Sequence, residues 1–336
     1  MQNCRVTCVW ILLAVVVALV KSARVGDKCT VRRGGVSGTC KLINNCPIVQ
    51  QNIENGIAPT NCGFSGGKAI VCCPQSRERQ RVGISESKCK EYARVANCKA
   101  SLIVGGKGAK PGEFPYMVAL GWTSGDEVTY DCGGTLISDL FVLSAAHCLI
   151  SKRGLPDHVN VGAHDIMEDD GEKVSIAEFF THPKYNFQLK TNDLSLIKLK
   201  TSVTFDEYVL PACLWTNRNL NVNQVTATGW GLTSDGGVKS DILQKVELQI
   251  VSKEECEMTH DNIKGTHICA AGENGEDTCQ GDSGGPLFAP YPNNNCMKYL
   301  VGVTSYGAKC GEQDIPAVYT RVSSYIRWIE SVVWAN

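Results

Sequence analysis

Eighteen cysteines in 336 residues constrain this chain more than any other feature. A reducing cytosol would leave so many thiols as liabilities, so the count points to an oxidising compartment and a disulfide framework. Cys4 and Cys8 stand in an N-terminal segment of their own, and removing it leaves 16 cysteines, an even number. Six follow from Cys29 to Cys73, with 10, 5, 15, 9 and 0 residues between successive members. Cys89 and Cys98 lie in a charged stretch, and the other eight are spread over the rest of the chain.

The N-terminal segment reads as a signal peptide. Arg5 precedes an apolar run from Cys8 to Val20, and Lys21-Ser22-Ala23 closes it. Thirteen apolar residues are too few to span a bilayer comfortably. Cleavage after Ser22 places Val20 and Ser22 at the two positions that must be small, whereas cleavage after Ala23 would place Lys21 at one of them. Residues 1–22 are therefore expected to be removed from a secreted protein that keeps no membrane anchor. The 33 Lys and Arg against 34 Asp and Glu give no reason to expect nucleic acid or an acidic membrane as partner.

The six-cysteine segment, residues 28–74, is short, Gly-rich and poor in large apolar residues. Its core would be too small to hold it, so disulfides must. Zinc is the rival use of clustered cysteines, but the segment has no C-x-x-C pair and no histidine. Residues 75–102 read as a linker, opening with Ser76-Arg77-Glu78-Arg79-Gln80-Arg81, which has no apolar face.

From Ile103 to Asn336 the pattern is of many short β-rich runs, such as Tyr116 to Leu120, Leu194 to Leu199 and Tyr299 to Val303, separated by Gly, Pro and Asn. That reads as an all-β barrel or sandwich. One helix is expected, at the end, where Tyr325, Trp328, Ile329 and Val332 recur at three-to-four spacing.

Three motifs carry chemistry: Ser144-Ala145-Ala146-His147-Cys148, Asn192-Asp193-Leu194 and Gly281-Asp282-Ser283-Gly284-Gly285-Pro286. A serine hydroxyl is a poor nucleophile and needs a base, for which histidine has a suitable pKa. The histidine needs a carboxylate to fix its tautomer and stabilise its cation. Flanking glycines let the backbone N–H groups of Gly281 and Ser283 converge on a developing oxyanion. Singly, the histidine and Asn-Asp-Leu are weak signals; the Gly-Asp-Ser-Gly-Gly-Pro run is specific.

Together these motifs resemble the chymotrypsin/trypsin family of serine proteases, whose triad is a worked case of acyl transfer. The resemblance covers 103–336 and includes Ile103-Val104-Gly105-Gly106, Ala227-Thr228-Gly229-Trp230-Gly231 and Pro316-Ala317-Val318-Tyr319-Thr320. It implies two six-stranded antiparallel barrels, with His147 and Asp193 from the first and Ser283 from the second. It also implies a substrate pocket made by Asp277, Ser305, Gly307 and Ala317. Asp277, six residues before Ser283, would lie at the pocket floor and select Arg or Lys, because an uncompensated charge in a pocket is costly. Gly307 would leave the pocket mouth open. Ala317 departs from the glycine usual on the pocket wall and puts the Arg/Lys ratio in question.

The six-cysteine segment resembles a clip domain, a module that precedes the protease in arthropod cascade zymogens. The resemblance implies the pairs Cys29–Cys72, Cys40–Cys62 and Cys46–Cys73, and in the protease Cys132–Cys148, Cys256–Cys269 and Cys279–Cys310. Cys213 matches the family's tether to the propeptide, with Cys89 or Cys98 as partner. The other linker cysteine would then pair with Cys296, and sequence alone does not choose. An oxygen-rich loop with Glu168, Asp169, Asp170 and Glu172 suits calcium. Calcium-binding relatives, however, carry a glutamate where this chain has Ala163, so a solvated loop and no cofactor are expected. The six scattered histidines suggest no zinc site, and no N-x-S/T sequon occurs.

Activation in this family frees the isoleucine of the I-V-G-G motif, whose ammonium pairs with the aspartate beside the nucleophile, here Asp282. Most relatives carry Arg or Lys before the cut; this chain has Leu102 before Ile103. The expected reading is a secreted zymogen cleaved at Leu102–Ile103 by an activating protease of apolar specificity. Downstream zymogens or cytokine precursors of an immune or developmental cascade are its expected substrates, and serpins its expected inhibitors. Two rivals are a broad digestive trypsin, which needs no clip domain, and a non-catalytic homologue, which would usually lack the serine.

Overall fold

The computed structural model describes residues 23–31, 37–54, 58–74, 83–96, 108–150, 153–168, 171–232, 236–272, 281–292, 294, 296–307 and 315–335. The chain divides into two compact units, Met1–Val82 and Gly83–Asn336. Among the described residues no helix is long and apolar enough to cross a membrane. The expected signal peptide lies outside those residues.

In the small unit, β1 (Lys28–Thr30), β2 (Ser37–Leu42), β3 (Asn61–Ser65) and β4 (Lys68–Pro74) form one antiparallel sheet in the order β1-β2-β4-β3. Helix α1 (Pro47–Glu54) starts at a proline, which suits a first helical position because its missing N–H has no partner to lose there. Three disulfides hold the unit: Cys29–Cys72, Cys40–Cys62 and Cys46–Cys73.

The large unit opens with a helix where the sequence predicts a linker. Helix α2 (Ile84–Val95) buries Ser85, Cys89 and Tyr92, which lie at i, i+4 and i+7 on one face. Cys89 is joined to Cys213, and the Tyr92 ring meets Phe205 edge-on at 5.8 Å. The Ser85 backbone N–H and hydroxyl both donate to the Glu330 carboxylate, at 3.0 and 2.7 Å. The charged start of the stretch obscures this buried stripe, which needs the surface carrying Cys213, Phe205 and Glu330 as its partner.

Two barrels follow. Strands β5 (Met117–Ser124), β6 (Glu127–Leu136), β7 (Phe141–Ser144), β8 (His158–Val161), β9 (Glu172–Thr181) and β10 (Ser195–Leu199) close in the order β10-β7-β6-β5-β8-β9. Next come β11 (Cys213–Leu214), β12 (Gln224–Gly229), β13 (Gln244–Val251), the short helix α3 (Lys253–Cys256), β14 (His267–Ala271), β15 (Pro286–Pro290), β16 (Lys298–Tyr306) and β17 (Ala317–Arg321). The sheet runs β11-β16-β15-β12-β13-β14-β17, and β17 pairs back with β16, so six strands close and β11 adds in parallel. The C-terminal helix α4 (Ile326–Val333) buries Ile329, the centre of its predicted stripe.

The barrels pack through large side chains. Tyr116 from before β5 and Phe288 from β15 are both fully buried, with ring centroids 4.7 Å apart. Leu120, Leu143, Leu196 and Ile197 of the first barrel are buried in one apolar cluster, and Leu248, Leu287 and Tyr319 of the second in another. Such two-sided burial is why the strands read as near-continuous apolar runs.

Candidate active site

His147 sits on a helical turn, Ala146–Leu149, directly after β7. The disulfide Cys132–Cys148 ties that turn to β6. Asp193 precedes β10 and is fully buried. The two meet with good geometry: His147 Nδ1 lies 2.7 Å from Asp193 Oδ2, and the His147 backbone N–H donates to Asp193 Oδ1 at 2.9 Å. The Ser305 hydroxyl, at the end of β16 in the second barrel, donates to Asp193 Oδ2 at 2.5 Å. Burial by itself pushes the Asp193 carboxyl up, but the His147 ring, the Ser305 hydroxyl and the His147 backbone N–H hold it below the ordinary carboxylate value. An ionised Asp193 fixes the ring proton on Nδ1 and leaves Nε2 as an acceptor, the tautomer that a general base requires.

Ser283 lies in the turn that leads into β15, and this turn is fastened to the first barrel. The Gly133 N–H donates to the Ser283 carbonyl at 2.8 Å, and Cys148 Sγ lies 3.6 Å from the same oxygen. Gly281 and Gly284 adopt φ of 101° and 75°, a region that L side chains avoid. A Cβ on Gly284 would also stand 2.2 Å from Ser144 Oγ, so the approach of the two barrels depends on a bare backbone there. The glycines of the motif therefore serve both backbone conformation and close packing.

Asp282 points away from this turn toward the Trp230 loop, where its carboxylate accepts the Gly231 N–H at 2.9 Å. A Cβ on Gly231 would sit 2.6 Å from that carboxylate. Ala317 begins β17, is buried, and pairs with Ala270. Ser305 is buried and Gly307 follows β16. Asp277, Leu102, Ile103, Cys98, Cys279 and Cys310 lie outside the described residues. Cys256–Cys269 is formed. Cys89–Cys213 resolves one of the two open pairings, and Cys296 is disulfide-bonded as well. In the acidic loop, Asp165 Oδ1 accepts the N–H groups of Met167 and Glu168, at 2.9 and 3.2 Å; Asp169 and Asp170 lie outside the described residues.

Two contacts were not read from the sequence. The Thr320 hydroxyl of β17 donates to the Asp193 carbonyl at 2.9 Å, and the Tyr325 hydroxyl to Asn192 Oδ1 at 3.1 Å. Thr320 lies in a segment singled out for resemblance, but a bond between residues 127 apart leaves no local pattern. The arrangement as a whole can accept a proton from a hydroxyl, stabilise the resulting imidazolium, and present backbone N–H groups from a glycine turn.

Comparison with known proteins agrees with this geometry. The sequence model of the trypsin family matches residues 103–329. The chain is 36% identical to the serine protease snk of Drosophila melanogaster over 336 aligned residues, covering 89% of this chain and 77% of that protein. It is 32% identical to the proclotting enzyme of Tachypleus tridentatus, covering 87% and 86%. It is 30% identical to CLIP domain-containing serine protease B4 of Anopheles gambiae, covering 96% of each.

Proposed function

The chain belongs to the trypsin family of serine proteases, and on that premise we propose that it is a secreted clip-domain zymogen whose triad is Ser283, His147 and Asp193. The observation that carries the assignment is the His147 ring held by the buried, ionised Asp193 beside the Ser283 turn. In the reaction, Ser283 Oγ attacks the scissile carbonyl carbon as His147 Nε2 takes its proton. The N–H groups of Gly281 and Ser283 receive the oxyanion. When the intermediate collapses, the C–N bond breaks and His147 returns the proton to the leaving amine. Water, deprotonated by the same nitrogen, then hydrolyses the acyl-enzyme.

Asp277 at the pocket floor selects Arg or Lys, with Ser305, Gly307 and Ala317 around it. Activation is cleavage at Leu102–Ile103, after which the new ammonium of Ile103 pairs with Asp282. The orientation of the Asp282 carboxylate, turned toward the Trp230 loop and bonded to the Gly231 N–H, supports that destination. Leucine has no charge for a basic-specific pocket to meet, so the activator accepts large apolar residues and the zymogen does not activate itself. The likeness to a proclotting enzyme and a CLIP-domain serine protease supports a place in a proteolytic cascade; the proposed substrates are other zymogens or a cytokine precursor, and the proposed inhibitors serpins.

The test is to incubate the purified zymogen alone, with trypsin, and with a chymotrypsin-like protease, to sequence the new N-termini, and to assay an Arg amide. Activity is expected only where Ile103 becomes the terminus. Spontaneous activation, or activity from a terminus at Ala100, contradicts the activation scheme. Absence of turnover with Ile103 freed contradicts the catalytic one. Broad digestion of mixed proteins favours the digestive rival.

A further inference from the structure

Ahead of the first barrel the chain makes a tight turn that is fastened to the second. Lys110-Pro111-Gly112-Glu113 has proline at its second position and a left-handed Gly112, φ 72°, at its third, the residue pattern of a type II turn. Glu113 closes this turn twice: its N–H donates to the Lys110 carbonyl at 3.0 Å, and its Oε2 accepts the Lys110 N–H at 2.9 Å. Its other oxygen, Oε1, accepts from Lys245 Nζ on β13 at 2.5 Å. The Lys245 and Glu113 side chains are only 17% and 25% exposed. One carboxylate therefore holds the turn with one oxygen and β13 with the other.

Just upstream, the backbone is pinned to the same strand. The Ala109 N–H donates to the Leu243 carbonyl at 2.8 Å, and Gly108 forms an antiparallel bridge with Gln244, the first residue of β13. On its other side Gln244 pairs with Gly229, the last residue of β12. Gly229 lies against the Asp282 carboxylate, and a Cβ there would collide with Oδ1. Gly108 and Gly229 are thus two strand spacings apart, roughly 10 Å. Ile103 stands five residues before Gly108, and five extended residues reach at most about 17 Å. A terminus freed at Ile103 therefore reaches Asp282 with little slack, from a stem held at Gly108. The receiving side is tied to the same strand. Gln244 Nε2 donates to Ser240 Oγ at 3.0 Å, the Ser240 N–H to the Gly231 carbonyl at 3.2 Å, and the Gly231 N–H to the Asp282 carboxylate at 2.9 Å.

From this arrangement we infer that Glu113 and Lys245 are a positioning pair for activation: their ion pair clamps the stem of the future N-terminus to β13 at a set distance from Asp282, and so keeps the freed terminus paired there. The inference rests on the proposed pairing of Ile103 with Asp282. Neither Glu113 nor Lys245 touches substrate or the reacting atoms. Loosening the clamp leaves the chain intact but widens the volume that the terminus searches, which lowers its effective concentration at Asp282.

The test reads the terminus itself and needs no turnover. Precursors carrying Leu102→Arg are cut with trypsin, and sequencing confirms Ile103 as the new terminus. The cut enzymes are then exposed to cyanate, which adds to a free amine and spares one held in a buried ion pair, and carbamylation of Ile103 is followed by mass spectrometry. Lys245→Met, which keeps the length of the side chain and removes its charge, is expected to speed that carbamylation about tenfold over the enzyme with Lys245. Lys245→Arg, which restores the pair, is expected to stay within about threefold of it. If Lys245→Met is not secreted, Glu113→Gln takes its place with the same expectation, since its amide oxygen still accepts the Lys110 N–H. A rate for the uncharged variant within about threefold of the enzyme with both charges overturns the inference, even if the uncut precursor melts lower, because the pair would then serve only stability. Lys245→Arg as fast as Lys245→Met overturns it too. An Ile103 amine that reacts as fast in the folded enzyme with both charges as in denatured enzyme instead removes the pairing with Asp282 on which the inference rests.

Discussion

The buried apolar cluster of the small unit consists of Cys46, Val49, Val71 and Cys73, and half of it is cystine sulfur. The large unit buries aromatic and aliphatic side chains by the dozen, and Tyr116, Leu120, Leu143, Phe288 and Tyr319 are all at most 1% exposed. The disulfides follow the same division. In the small unit they connect residues 43, 22 and 27 apart, and every strand carries at least one of their cysteines. In the barrels, Cys132–Cys148 and Cys256–Cys269 close short stretches of 16 and 13 residues inside regions that are already packed. A short segment cannot bury enough apolar surface to offset its conformational entropy, so covalent links that restrict the unfolded chain take over. Disulfides thus serve two kinds of stability within a single chain.

Four experiments sharpen or break this contrast. The largest effect concerns chemistry alone: Ser283→Ala is expected to cost the activated enzyme at least about a thousandfold in turnover. Thermal unfolding of either unit should not change, and a shift in melting would show that Ser283 also carries structure. Next, Leu143→Ala should destabilise the large unit by about 4 kcal/mol, because a fully buried side chain leaves a cavity in packed surroundings. Hydrogen exchange in β2 and β4 should stay as it was. The reverse case is the double change Cys46→Ser and Cys73→Ser, expected to cost the small unit about 3 kcal/mol. Amide protection across 37–74 should collapse while hydrolysis of a small Arg amide by the activated enzyme persists; loss of that hydrolysis would mean the units are not independent. The smallest effect is expected from Ser85→Ala, which removes one side-chain bond to Glu330 at the start of α2 and should cost about 1 kcal/mol in denaturant titration.

The same contrast explains what was legible in the sequence. His147, Asp193 and Ser283 stand in local motifs because a turn, a buried carboxylate and a glycine-flanked nucleophile each impose constraints on their immediate neighbours. The barrels were legible as short apolar runs because both faces of many strands are covered. Helix α2 was not, because Ser85, Cys89 and Tyr92 form a narrow stripe within a polar sequence and mean nothing without Cys213, Phe205 and Glu330 opposite. Thr320 escaped for the same reason, since it bonds the Asp193 carbonyl from a distant strand. The choice between Cys89 and Cys98 as partner of Cys213 was likewise a matter of which cysteine a helix brings near.

That last link changes the topology of the proposed activation step. Cys89 and Cys213 are 124 residues apart, and the Leu102–Ile103 bond lies between them. Before the cut, the peptide backbone and the disulfide together make a closed ring. The cut opens the ring and leaves the molecule in one piece. In the ring, the disulfide limits the unfolded chain, a loop-closure effect of about 4–5 kcal/mol for a loop of this order. Once the ring is open, the same bond is a bridge between two polypeptides, and what it opposes is their separation by dilution. The stability of the precursor toward reductant is therefore a property of the single molecule, whereas that of the cleaved enzyme depends on its concentration.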